Sequence, residues 1–118
     1  MSACLKSETV RVGDALVCSF TGEMIMDSED VADQALTAAL DQRPALLAVD
    51  LARVEFFTSS GLNVLLAARW RALAEGVPLV LVAPARQTVR VLELTETGAL
   101  FPVHGSAEEA LRSIADPA

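Results

Sequence analysis

Aromatic side chains make up only 4% of the 118 residues: four Phe, one Trp and no Tyr. A core must therefore be built from Leu, Val, Ala and Ile, a composition suited to parallel strands covered by helices. Histidine is nearly missing as well. His104 is the only one, and with two cysteines it cannot make a convincing structural zinc set. Bases are few: nine Lys and Arg, scattered along the chain, face sixteen Asp and Glu, for a net charge of −7. A nucleic-acid binder would carry a basic patch or stripe, and an anionic membrane surface would repel this chain. Neither partner is expected. The longest apolar run, Val77 to Ala85, is far shorter than the about 20 residues of a membrane-spanning helix. Lys6 and Glu8 stand where a signal peptide would place its apolar segment, so the expected location is the cytoplasm. Cys4 and Cys18 are accordingly expected as reduced core thiols with no bond between them.

Hydrophobic residues make up 53% of the chain, and its length fits one domain, 1–118, with a single core. Leu5 to Val12, the turn dipeptide Gly13-Asp14 and Ala15 to Thr21 read as a hairpin, ended by Gly22-Glu23. Ser28 is a plausible N-cap, with Glu29 and Asp30 suited to a helix start. Val31, Ala35, Ala38 and Ala39, flanked by Leu36 and Leu40, continue that helix to Arg43-Pro44. Ala45 to Leu51 reads as a buried strand, followed by a loop through Phe57 to Thr58-Ser59-Ser60-Gly61. Leu62 to Glu75 is helical, with Leu62, Leu65, Leu66, Arg69, Trp70 and Leu73 on one face, closed by Gly76 and Pro78. Leu79 to Val82 is another buried strand, and Arg86 to Leu94 a short helix. Leu100 to Val103 is an edge strand, and Ser106 opens a last helix that docks through Ala110, Leu111 and Ile114. After the hairpin, strands and helices alternate. The expected fold is α/β: a mixed, mostly parallel sheet of about five strands with about four helices.

Catalytic constellations fall short. His104 reads as an exposed loop residue, there is no G-x-S-x-G elbow, and no nucleotide-binding glycine fingerprint is present. No metal site and no cofactor are expected. What remains is Thr58-Ser59-Ser60-Gly61 at a helix start. One hydroxyl is enough to cap a helix. A phosphate on another would meet the N–H groups and the positive end of the dipole, leaving the helix folded while adding charge to an acidic surface.

Asp50 to Leu66, DLARVEFFTSSGLNVLL, resembles the signature of the STAS domain in its anti-sigma factor antagonist branch. That signature runs D-L, a short spacer, an apolar segment, D-S-S-G or D-S-T-G, then L-G-V-L. Thr21-Gly22-Glu23, Pro78 to Val82, Leu94 to Phe101 and Ala107 to Leu111 are similar to flanking segments of the same family. The resemblance implies a STAS-like fold and partner switching by a binding module, not an enzyme. An antagonist of this kind binds an anti-sigma factor that is also a serine kinase, and so frees a sigma factor. Phosphorylation inactivates it, and a PP2C-type phosphatase restores it. By position the phosphoacceptor is Ser59, with Ser60 the alternative. The implied partner-binding residues are Thr58, Ser59, Ser60, Gly61, Leu62, Asn63, Ile25 and Asp27. Two positions depart from the family pattern: Thr58 replaces the Asp before the phosphoacceptor, and Ile25 replaces an acid after the G-E, with Asp27 displaced nearby. A scaffold that is never phosphorylated and a small-ligand sensor are the other readings of the same turn, and homodimerisation stays open.

Overall fold

The computed structural model describes residues 5–115, with side chains as far as residue 113. Strand β1 (Leu5–Val12) turns at Gly13, whose φ of 62° is open to glycine at no steric cost, into β2 (Ala15–Met24). Helix α1 (Glu29–Asp41), strand β3 (Leu46–Phe57), helix α2 (Ser59–Glu75) and strand β4 (Leu79–Val82) follow. Helix α3 (Arg86–Leu94), the two-residue strand β5 (Val103–His104) and helix α4 (Ala107–Ala115) complete the described elements. Single 3-10 turns occupy Met26–Ser28 and Gly98–Leu100. The sheet has the order β1-β2-β3-β4-β5; only the β1–β2 hairpin is antiparallel, and every later pair is parallel.

Alternation along the strands feeds two cores. Leu16, Cys18, Phe20, Leu47, Val49, Leu51 and Leu81 point toward one face and pack with Leu36 and Leu40 of α1, Leu65 of α2 and Leu92 of α3. Ala15, Val17, Leu46, Ala48, Val80 and Val82 point the other way and meet Ala110 of α4. Burial on both faces explains why β3 and β4 begin as unbroken apolar runs. Leu111 packs at the edge of the second cluster, while the docking expected of Ile114 lies outside the described side chains. Cys18 is a buried free thiol, and Cys4 lies outside the described residues.

Several expectations need correction. Gly22-Glu23 does not end β2, and Ala52 to Phe57 is strand, not loop. The two segments pair with each other from Thr21↔Arg53 to Met24↔Phe57, across register shifts at Ser19/Thr21 and Gly22/Glu23. Such bulges break the alternation that identifies a strand in sequence. On α1 the buried residues are Ala32, Leu36, Ala39 and Leu40, whereas Val31 and Ala38 are exposed. On α2 the buried face runs through Leu62, Leu65, Ala68 and Ala72; Trp70 is 76% exposed and Leu73 60%. Small alanines let α2 approach the sheet, and the bulkier side chains are left outside. Leu100 belongs to a 3-10 turn, so β5 starts only at Val103. His104 is a half-buried strand residue, its Nδ1 4.0 Å from Glu109 Oε1, and not a loop residue. Ser28 occupies the N-cap position of α1 without capping it: its hydroxyl donates to Glu23 O at 2.7 Å and accepts from Ile25 N–H at 3.0 Å.

Candidate functional site

The site lies at the C-terminal ends of the parallel strands β2 and β3, where the chain leaves the sheet for α1 and α2. Thr58 follows β3 in an extended conformation, φ −116° and ψ −173°. Its N–H donates to Met24 O at 3.1 Å, which ties the end of β3 to the end of β2. Its side chain accepts from Ser60 N–H at 3.3 Å, and its carbonyl accepts the first helical bond from Leu62 N–H at 3.1 Å. Thr58 is therefore the N-cap of α2, the role its hydroxyl and β-branch suit.

The three hydroxyls of the turn have separate fates. Thr58 is spent on the cap. Ser60 is turned inward, only 9% exposed. Ser59, the first residue of the helix, is exposed. Gly61 comes next, and here glycine is a packing requirement. A Cβ at Gly61 would lie 2.8 and 2.9 Å from ring carbons of Phe57 and 3.0 Å from Met24 Cβ. The first turn of α2 is thus pressed directly onto the last residues of β2 and β3.

The second segment of the site follows Met24. Ile25 is half-buried, Met26 is 74% exposed, and Asp27 is exposed. The Ser28 hydroxyl closes this turn through its bonds to Glu23 and Ile25. Glu29, Asp30 and Asp33 of α1 line a groove of about 230 Å³ with Asn63, Val64 and Ala67 of α2. That groove reaches α2 at Asn63, one helical turn after the exposed Ser59, and its α1 wall is acidic. A larger groove of about 460 Å³, bounded by Lys6, Glu8, Ser19, Thr21, Asp50 and Arg53 among others, shares no residue with the turn.

A family model described as STAS domain matches residues 6–110. The chain belongs to the STAS family. An anti-sigma factor antagonist from Mycobacterium paratuberculosis superposes with a TM-score of 0.85 at 28% identity, covering 95% of each chain. A STAS domain protein from Planctomyces limnophilus superposes at 0.81, with 21% identity over 92% of this chain and 96% of that one. The phosphorylated form of the Bacillus cell fate determinant SpoIIAA superposes at 0.71, with 18% identity over 92% and 99%. The last two likenesses are of fold alone. No curated protein sequence matches this chain.

Within this STAS domain the structure brings Thr58, Ser59 and Asn63 to the surface beside the turn that carries Ile25 and Asp27. Gly61 and Leu62 face the core, Leu62 at 6% exposure. Three features at this end had no counterpart in the sequence reading. Phe56 is 56% exposed two residues before the cap, and Met26 is exposed beyond β2. The third is Gln87 of α3, which bonds both backbone groups of Phe57. Exposed apolar side chains in an expected loop attract no attention, and a side-chain bond spanning thirty residues leaves no periodic trace. Among the described residues no group of three His, Cys, Asp or Glu side chains is placed to hold a metal, and no helix is long and apolar enough to cross a membrane.

Proposed function

We propose that this STAS domain is an anti-sigma factor antagonist of the cytoplasm, switched by phosphorylation of Ser59. The observation that carries the reading is the division of labour within one turn: Thr58 caps the helix, Ser60 is buried, and Ser59 alone is both exposed and uncommitted to the cap. A serine-kinase anti-sigma factor is the partner. It would transfer the γ-phosphoryl group of ATP to Ser59 Oγ; the new O–P bond forms as the bond to ADP breaks, and the hydroxyl proton leaves. The product adds about −1.5 to −2 charges at the first position of a helix, where the dipole tolerates an anion. The fold survives, while the docking face, already rimmed by Asp27, Glu29, Asp30 and Asp33, becomes strongly repulsive to an acidic partner surface. A PP2C-type phosphatase would reverse the change. The solved likeness to a phosphorylated SpoIIAA supports the reading at the level of the fold.

The test is incubation with the cognate kinase and ATP, followed by intact-mass analysis. One phosphate is expected on the wild type and on Ser60→Ala, and none on Ser59→Ala. An unmodified wild type, or the same phosphate on Ser59→Ala, refutes the assignment. A second reading has its own observation: Thr58 and Ile25 stand where the family pattern has acids. A constitutive scaffold would bind its partner through the same surface and take no phosphate at all.

A further inference from the structure

Strand β3 outruns its neighbour. Its pairing with β4 covers only Leu47 to Asp50, so no described strand stands beside residues 51–57 on that side. A backbone N–H and C=O on the same residue of a strand point to the same neighbour. Those of Phe57 point toward the missing neighbour, because the next N–H, that of Thr58, goes to Met24 of β2. One side chain fills the gap. Phe57 N–H donates to Gln87 Oε1 at 2.6 Å, and Gln87 Nε2 donates to Phe57 C=O at 2.9 Å. The primary amide thus supplies the donor and acceptor that a further strand would have provided.

The location gives this pair its meaning. Phe57 is the last residue of β3, and the peptide that Gln87 grips through its carbonyl leads into Thr58 and so into Ser59. The cap is held from two sides: by Met24 on β2 and by Gln87 on α3. Other bonds within reach do not replace this one. The Thr58 hydroxyl is already engaged with Ser60 N–H, and it lies 3.4 Å from Met24 O. Gln87 itself is exposed, so it is not there to fill the core.

We propose that Gln87 is a positioning residue for the Ser59 switch: by completing the β3 edge at Phe57 it fixes the entry to α2 and the direction in which Ser59 is presented to the kinase. The inference rests on the reading of Ser59 as phosphoacceptor, and it makes α3 part of the switch. Loss of the amide lets Phe57 and the cap rotate, and a misplaced nucleophile slows transfer more than it weakens encounter.

The experiment compares the wild type with Gln87→Met, which keeps the unbranched stem and removes both bonds. Leu92→Ala, which loosens the same helix from the core but leaves the amide, is the matched control. Each is phosphorylated by the cognate kinase over a range of antagonist concentrations, and amide hydrogen exchange is followed by NMR. Gln87→Met is expected to lower the maximal rate about tenfold with a half-saturating concentration within twofold of wild type. Exchange at Phe57 should quicken at least tenfold, while exchange in β4 stays unchanged. Leu92→Ala should keep its maximal rate within twofold at temperatures where it is folded. An undiminished maximal rate in Gln87→Met, or an equal loss in Leu92→Ala, overturns the proposal while Ser59 phosphorylation stands. If the wild type takes no phosphate, the reading of Ser59 fails, and exchange alone decides Gln87: unchanged protection of Phe57 overturns it. Gln87→Leu, which also removes both the acceptor and the donor facing Phe57, must quicken exchange too; its failure to do so also overturns the proposal.

Discussion

Replacing Gly61 by alanine tests how tightly the turn into α2 is packed. The new methyl group would lie within 3.0 Å of three atoms, two on the Phe57 ring and one on Met24. Both neighbours are locked: Phe57 is 0% exposed and Met24 1%. Neither can swing into solvent, so the ring must leave its rotamer or the first turn of α2 must lift from the sheet. Overpacking of this kind costs about 1–3 kcal/mol. Against it stands the gain of alanine over glycine in a helix, at most about 1 kcal/mol. With the full offset the net is a loss of about 0–2 kcal/mol, centred near 1, or roughly 4 °C in Tm per kcal/mol for a domain of this size. Urea unfolding followed by far-UV circular dichroism is the assay, because Trp70 is exposed in the native state and reports unfolding poorly. Gly76→Ala is the contrast. A Cβ there meets nothing within 4 Å, but φ is 72°, so its cost comes from conformation alone, about 1–2 kcal/mol. Only Gly61→Ala should also quicken exchange at Ser60 and, on the proposed reading of Ser59, slow its phosphorylation. A Gly61→Ala protein more stable than wild type, or one with unchanged stability and unchanged exchange at Ser60, would refute the close contact between α2 and the strand ends.

Thr58→Val keeps the β-branch and removes the cap oxygen; it should cost about 1 kcal/mol and speed exchange of Ser60 N–H, and no change would show the cap to be idle. Thr88 Oγ1 is buried with no hydrogen-bond partner among the described residues, so Thr88→Val should be neutral or stabilising by about 1 kcal/mol in urea unfolding. Burial pushes the Cys18 thiol up, against a Thr9 hydrogen bond that pulls it down. Unfolded, the thiol loses its proton near pH 8.5 while the folded protein retains it, so this contribution is whole below about pH 8.5 and is lost as pH rises above it. The urea midpoint should therefore fall between about pH 7 and pH 10 less steeply in Cys18→Ala than in wild type, and equal slopes would contradict the shift.

The parts of the fold that were legible in the sequence are those with local causes. Gly13-Asp14 marks the hairpin because the turn requires a residue at positive φ, and Gly76, at φ 72°, stops α2 for the same reason. Leu79 to Val82 reads as a buried strand because nothing polar interrupts it. The far half of β3 was hidden because its strand character comes from a bulged partner, β2. The face of α2 was misjudged because the buried stripe of Leu62 and Leu65 continues through Ala68 and Ala72, whose small side chains mark it weakly in sequence, while the large Trp70 and Leu73 lie outside it. The candidate turn was legible as a pair of serines, with Ser59 placed first by resemblance alone. That Ser59 is exposed and Ser60 buried follows from the rotation of α2 about its axis, which spacing does not supply.

The loss of the family's acids at Thr58 and Ile25 bears on recognition, but not on the architecture of the turn. An N-cap needs an acceptor for an N–H of the first turn, and a threonine hydroxyl serves where an aspartate would. What the substitution removes is a full negative charge next to Ser59. The acids that remain on the adjoining segment are Asp27 on the turn after β2 and Glu29, Asp30 and Asp33 on α1, the last three lining a groove with Asn63 of α2. That segment is joined to the Ser59 turn by the Thr58–Met24 bond, and α3 is joined to it by Gln87. A partner that met both α1 and the Ser59 turn would therefore meet two elements held together by the Thr58–Met24 bond and by the close packing of Gly61 on Met24. A change that lifts Thr58 from Met24 would displace both elements at once, whatever the charge at position 58.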